Sequence, residues 1–186
     1  MRLRLAPTVL LLLLAACGKT PPEAPKAAAA LEPVASIQEL MQSLVDPSAD
    51  ALWESVSTTV SAAGTEEHQP RSDAEWLELR FLALRLAEAG NLLAVDGRPV
   101  AHAGKQLEDA HVSGILKPEE IQQRVDADRA AFASRAAALR EAARITLAAI
   151  DEKNVDHFIE AGSRIDQACE ACHKQYWYPN DRRPEQ

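Results

Sequence analysis

Cys169-Glu170-Ala171-Cys172-His173 ends the last amphipathic stretch of the chain, and its reading sets the rest. Two thiols three residues apart share one face of a helix, and a histidine follows at once. This is the spacing of c-type haem attachment. Both thiols reach the edge of one porphyrin and form thioethers with its vinyl groups. His173 turns its imidazole onto the iron as the proximal ligand, a role histidine fills in many haem proteins. The expectation is one covalent haem c on Cys169, Cys172 and His173. Other uses of a Cys-x-x-Cys pair have their own requirements. A thioredoxin-like redox pair needs a βαβ context, and no strand is expected in this chain. A zinc site wants four Cys or His ligands, and the only other cysteine is Cys17. A disulfide within one helical turn is strained.

Working outward from the motif, Val155, Phe158, Ile159, Gly162, Ile165, Cys169 and Cys172 form one apolar face, which predicts a helix. It ends near Tyr176-Trp177 because Pro179 follows, leaving a polar tail at 179–186. Asp151 to Asn154 is a turn. Before it, Pro118 with Glu119 and Glu120 opens a helical region. Ile121 and Val125 form a short stripe, and the pattern resumes from Ala130 and Phe132 to Ile150. Val95 to Lys117 is a long connection with four breakers, Gly97, Pro99, Gly104 and Gly114, and two histidines, His102 and His111. A connection this long is often functional; its other reading is a cover over one end of the helices.

Ser72-Asp73-Ala74-Glu75 is a capping box. The helix it starts runs to about Asn91 and carries Trp76, Leu77, Leu79, Leu82, Ala83 and Leu86, enough apolar circumference to expect deep burial. Near the start, Ser36 is the N-cap of a stripe of Ile37, Leu40, Met41, Leu44 and Val45. Asp46-Pro47 interrupts it. Asp46 is expected to cap a second helical segment through Ala51, Leu52, Val56 and Val60, ended by Gly64-Thr65; a kinked continuous helix is the alternative. Four stretches with an inward stripe give an all-α fold, most economically an antiparallel four-helix bundle with the haem on its last helix.

The N-terminus reads as a targeting segment. Arg2 and Arg4 precede an apolar run, Val9 to Leu14, too short to span a membrane. Leu14-Ala15-Ala16-Cys17 resembles the lipobox of bacterial lipoproteins. That resemblance implies a signal peptide at 1–16, lipidation of Cys17, and a protein anchored on the periplasmic side and not spanning the membrane. The other reading is an ordinary signal peptide with Cys17 incidental. Gly18 after the cysteine, by resemblance to enterobacterial sorting, implies the outer membrane. Residues 17–33, with Pro21, Pro22, Pro25 and Pro33, read as a tether, and 34–178 as the single domain. One thiol then takes lipid and two take haem. The formal net charge is −8, and losing Arg2 and Arg4 makes it more negative. This argues against nucleic acid and suits basic partner proteins, or simply solubility.

A four-helix chain with its only Cys-x-x-Cys-His in the last helix resembles the class II cytochromes c, the cytochrome c′ family. The likeness extends over roughly residues 36 to 178, through Leu40-Met41, Asp46-Pro47-Ser48-Ala49-Asp50, Leu52-Trp53 and Cys169 to Tyr178. The connection at 95–117 departs from a minimal member. The family implies a haem among the helices, His173 below the iron, and a distal face that is vacant or filled by a methionine of the first helix. It also implies a homodimer. A Met-filled face suits electron transfer to redox partner proteins; a vacant one suits binding or buffering of small gases.

The sequence bears on that choice. Apart from Met1, Met41 is the only methionine. It stands about five residues into the first helix, as His173 stands about four from the end of the last, so antiparallel neighbours would bring both to one end at about 6–8 Å depth. Methionine as ordinary core filler is the competing use. His68, His102, His111 and His157 read as surface residues, His157 about 24 Å from His173 along a straight helix. Trp53, Trp76, Phe132, Phe158 and Tyr176 are candidates for the pocket wall, with Tyr176 favoured for adjoining the motif. No carboxylate pair, nucleophile–base arrangement or phosphate-binding glycine loop suggests an enzyme, and the remaining alternative is a non-redox structural lipoprotein.

Overall fold

A computed structural model describes residues 31–180. The expectations placed on the signal peptide, Cys17 and most of the tether, and on the tail beyond 180, lie outside the described residues. The described chain is mostly helical: α1 (Ile37–Leu40), a π turn (Met41–Val45), α2 (Asp46–Glu54), a hairpin of β1 (Ser57–Ser61) and β2 (Gly64–His68), α3 (Asp73–Leu93), α4 (Pro118–Ala127), α5 (Arg129–Asp151) and α6 (Val155–Tyr176).

Local chemistry sets most of these ends. Ser36 Oγ accepts from the Glu39 amide at 3.2 Å, and the Glu39 carboxylate accepts from the Ser36 amide at 2.8 Å. Ser72 and Glu75 close the same reciprocal box on α3. Pro118 opens α4, where its missing N–H costs nothing. Asp128 separates α4 from α5 and caps the latter, its Oδ1 accepting from the Ala131 amide at 2.9 Å. Asn154 caps α6 in the same way, through the His157 amide at 3.0 Å.

Two expectations are corrected. Asp46 is not a cap: it is fully helical at φ −59°, ψ −51°, and the chain runs from α1 to α2 without a break. Pro47 cannot donate to the Ser43 carbonyl and its ring crowds it. The helix answers by widening, and the Asp46 amide bonds back to the Met41 carbonyl. The second correction is the hairpin. The helix stops at Glu54, and Ser55 Oγ donates to the Leu52 carbonyl at 2.7 Å. Ser57-Thr58-Thr59-Val60-Ser61 then pairs antiparallel with 64–68. Thr58, Thr59 and Val60 are β-branched and favour an extended chain. Every hairpin residue is exposed, so it adds no apolar burial.

The core lies among the helices. α3 packs on α5, α5 on α6, and α2 on both α3 and α6, which makes a ring of four neighbours. Leu52, Leu86, Ile150 and Ile165 are fully buried within it, each worth about 1.5–3 kcal/mol relative to exposure. α3 and α5 approach so closely that a Cβ on Gly90 would stand 2.8 Å from the Ala136 carbonyl oxygen. The expected burial of α3 is one-sided: Leu77 is 49% exposed. On α6, Ile159 also turns outward, at 52%.

Candidate cofactor site

The first helical stretch presents Ile37, Met41, Val45, Ala49 and Trp53 to one cavity of about 830 Å³. These residues recur in steps of four. In a regular helix of 3.6 residues per turn a four-step row drifts round the axis. The wider π turn, spanning Met41 to Val45, takes up part of that drift and keeps the row on one side. α6 forms the facing wall with Ala168, Cys169, Cys172 and His173, and Trp177 continues it just past the helix end. α5 supplies Phe132, Arg135, Ala136 and Leu139. The volume is that of a site for a cofactor-sized ligand.

The three residues of the motif differ in acidity from exposed groups. Both cysteines are free and half-buried. Burial pushes the Cys169 thiol from 9.0 up to about 12, with Asp166 adding to it. Burial raises Cys172 to about 11, against the pull of Arg135. Both therefore stay protonated to a higher pH than an exposed thiol does. Burial lowers the pKa of His173, opposed by Glu170 and Asp109. This favours the neutral imidazole that a metal ligand must be. The His173 ring lies 5.8 Å from that of Trp177 and 6.1 Å from that of Tyr178. The Tyr178 hydroxyl donates to Glu170, and the Trp177 amide donates to the His173 carbonyl at 2.8 Å.

Of the residues singled out in the sequence, Cys169, Cys172, His173 and Met41 are brought together on this cavity, as are Trp53 and Phe132. Trp53 lies across α6, its indole N–H donating to the Gly162 carbonyl at 3.2 Å. Tyr176 does not line the cavity. It is buried behind it, edge-on to Phe132 at 5.3 Å between ring centres, and Trp177 takes the place expected of it. Trp76 and Phe158 pack on each other elsewhere, at 5.9 Å. None of the other histidines reaches the cavity. His102 is 2.9 Å from Glu39, and His157 is 3.0 Å from Glu152.

Several lining residues escaped sequence reasoning, and three of them stand out. Arg135, the one Lys or Arg on the cavity wall among the described residues, donates through Nε to Gln175 Oε1 at 2.7 Å. Its signal was present: a charge set within the apolar row Phe132, Ala136, Leu139. Trp177 and Glu108 are the others. Glu108 joins Asp46 and Asp50 as an acidic edge, and the Asp46 carboxyl is held above its usual range by burial and by these neighbours.

Among the described residues, no three His, Cys, Asp or Glu side chains are grouped to hold a metal ion by themselves, and no helix is long and apolar enough to cross a membrane. No family model, curated protein or solved structure matches the chain.

Proposed function

We propose that this chain is a c-type cytochrome: a one-electron carrier with a single covalent haem, held by an antiparallel four-helix bundle in the manner of the cytochrome c′ family. The observation that carries the reading is the convergence of Cys169, Cys172, His173 and Met41 on one cavity. The donor set fits the group. Two adjacent free thiols face a hollow of the right size, a neutral imidazole follows them, and a thioether stands on the facing helix. A haem bound there supplies reversible one-electron chemistry at its iron.

The chain's own residues do the rest. Cys169 and Cys172 would hold the porphyrin through thioethers and His173 would ligate the iron. Met41, on the π turn, would fill the distal position, making the site a carrier of electrons and not a receptor for gases. Phe132, Leu139, Trp53 and Trp177 exclude water. Arg135 offers the positive charge that carboxylates of a haem need. The lipobox resemblance at Leu14-Ala15-Ala16-Cys17 and the negative net charge support a lipid-anchored periplasmic protein, on the outer membrane, that exchanges electrons with basic redox partners.

The test is the mass of the denatured chain after expression with a periplasmic haem-attachment system. The wild type is expected to gain the mass of one haem. The double variant Cys169→Ser, Cys172→Ser is expected to gain none. A wild type without the added mass overturns the reading.

A further inference from the structure

Residues 94–117, between α3 and α4, form an anchored strap. The Ile37 and Gln38 amides at the start of α1 donate to the carbonyls of Pro99 and Val100, at 2.8 and 2.9 Å. Gln38 Nε2 donates to the Gln106 carbonyl at 2.8 Å. At its far end the Leu116 amide donates to the Trp177 carbonyl at 2.9 Å. The strap thus ties the start of the stretch that carries Met41 to the end of the helix that carries His173. Between these anchors Leu107 is buried. The next two residues, Glu108 and Asp109, line a cleft of about 130 Å³ that His173 and Met41 also line.

A histidine that binds a metal almost always passes its second ring N–H to a carboxylate, carbonyl or water, which fixes the ring and raises its basicity. The nearby carboxylate on the same helix, Glu170, is already engaged: it accepts from the Tyr178 hydroxyl, and its other oxygen is 3.4 Å from Lys174 Nζ. Asp109 has no hydrogen-bond or ion-pair partner for its side chain among the described residues, and neither has the His173 ring. We propose that Asp109, delivered by the strap, is the positioning carboxylate of His173, holding its ring and adding negative charge beside the iron site. The inference rests on the haem reading above. Asp109 also acts electrostatically on His173, favouring its charged form, second to Glu170 in this and against the effect of burial.

Negative charge and a more basic imidazole both favour the oxidised iron, so removing them raises the reduction potential. The experiment is a spectroelectrochemical titration of the full haem-loaded protein and of Asp109→Asn, Asp109→Glu and Glu66→Gln. Glu66 stands on the exposed hairpin, away from the cleft, and its variant removes the same charge. Asp109→Asn is expected to shift the reduced-to-oxidised ratio at fixed potential about three- to tenfold toward reduced, tenfold being 59 mV for one electron. Asp109→Glu is expected to keep most of the wild-type value, and Glu66→Gln to match the wild type. An Asp109→Asn shift that is absent, or no larger than that of Glu66→Gln, with haem absorbance intact, overturns the role of Asp109 and leaves the haem reading standing. Absence of haem from the wild type overturns both.

Discussion

Met41 and His173 line the same cavity and the same adjoining cleft, although one stands on the π turn after α1 and the other near the end of α6. Met41→Leu keeps the volume and removes the sulfur. On the proposed haem reading, the substituted protein is expected to carry covalent haem, to show no low-spin spectrum, and to bind carbon monoxide when reduced. Its reduction potential is expected to fall, since a methionine ligand raises it. This is opposite in sign to Asp109→Asn, so the two potentials measured side by side separate the roles.

Gly90 stands where α3 approaches α5 closely. A Cβ there meets the Ala136 carbonyl oxygen at 2.8 Å and the Arg140 amide nitrogen at 3.0 Å, both backbone atoms that do not swing aside. Alanine is the better helix former by about 1 kcal/mol, yet Gly90→Ala is expected to cost about 1–3 kcal/mol through overpacking. Urea unfolding checks this, with a lower midpoint expected at unchanged slope.

The chain without haem is expected to be most stable between about pH 6.5 and 9. On the acid side, the folded His173 has a pKa below the ordinary 6.5. As pH falls past 6.5 the unfolded chain takes up a proton that the folded one refuses, and stability drops. On the alkaline side, folded Cys169 and Cys172 titrate at about 12 and about 11, above the ordinary 9.0. As pH rises past 9 the unfolded thiols ionise first, and stability drops again. Denaturation midpoints across pH test both limbs. His173→Gln is expected to flatten the acid limb, and the double serine variant at Cys169 and Cys172 the alkaline one.

The sequence was most legible where structure is local. The Ser36 and Ser72 caps, Pro118, and the end of α6 ahead of Pro179 each depend on a few adjacent residues. The hairpin is hidden in the sequence because Leu52, Val56 and Val60 continue a helical spacing, while the β-branched run at 58–60 points the other way. The π turn is hidden because a proline after an apolar stripe usually ends or kinks a helix and seldom widens it. In the site, Cys169, Cys172 and His173 declare themselves by spacing. Met41 stands out as the only methionine besides Met1. Tyr176 and Trp177 are adjacent in sequence, but one residue turns a helix by about 100°, so the neighbour of the one favoured reaches the cavity. Glu108 lies in a connection without periodicity, where only tertiary packing assigns a direction.

The optical spectrum of the purified, periplasmically matured protein, oxidised and reduced, with and without carbon monoxide, tests the account most directly. Sharp reduced low-spin bands that ignore carbon monoxide are predicted, because the iron would lie between His173 and Met41. A broad high-spin reduced spectrum that shifts with the gas would contradict ligation by Met41 and make the protein a gas-binding haem protein. No haem absorbance from cells able to attach haem would contradict the assignment of Cys169, Cys172 and His173 itself.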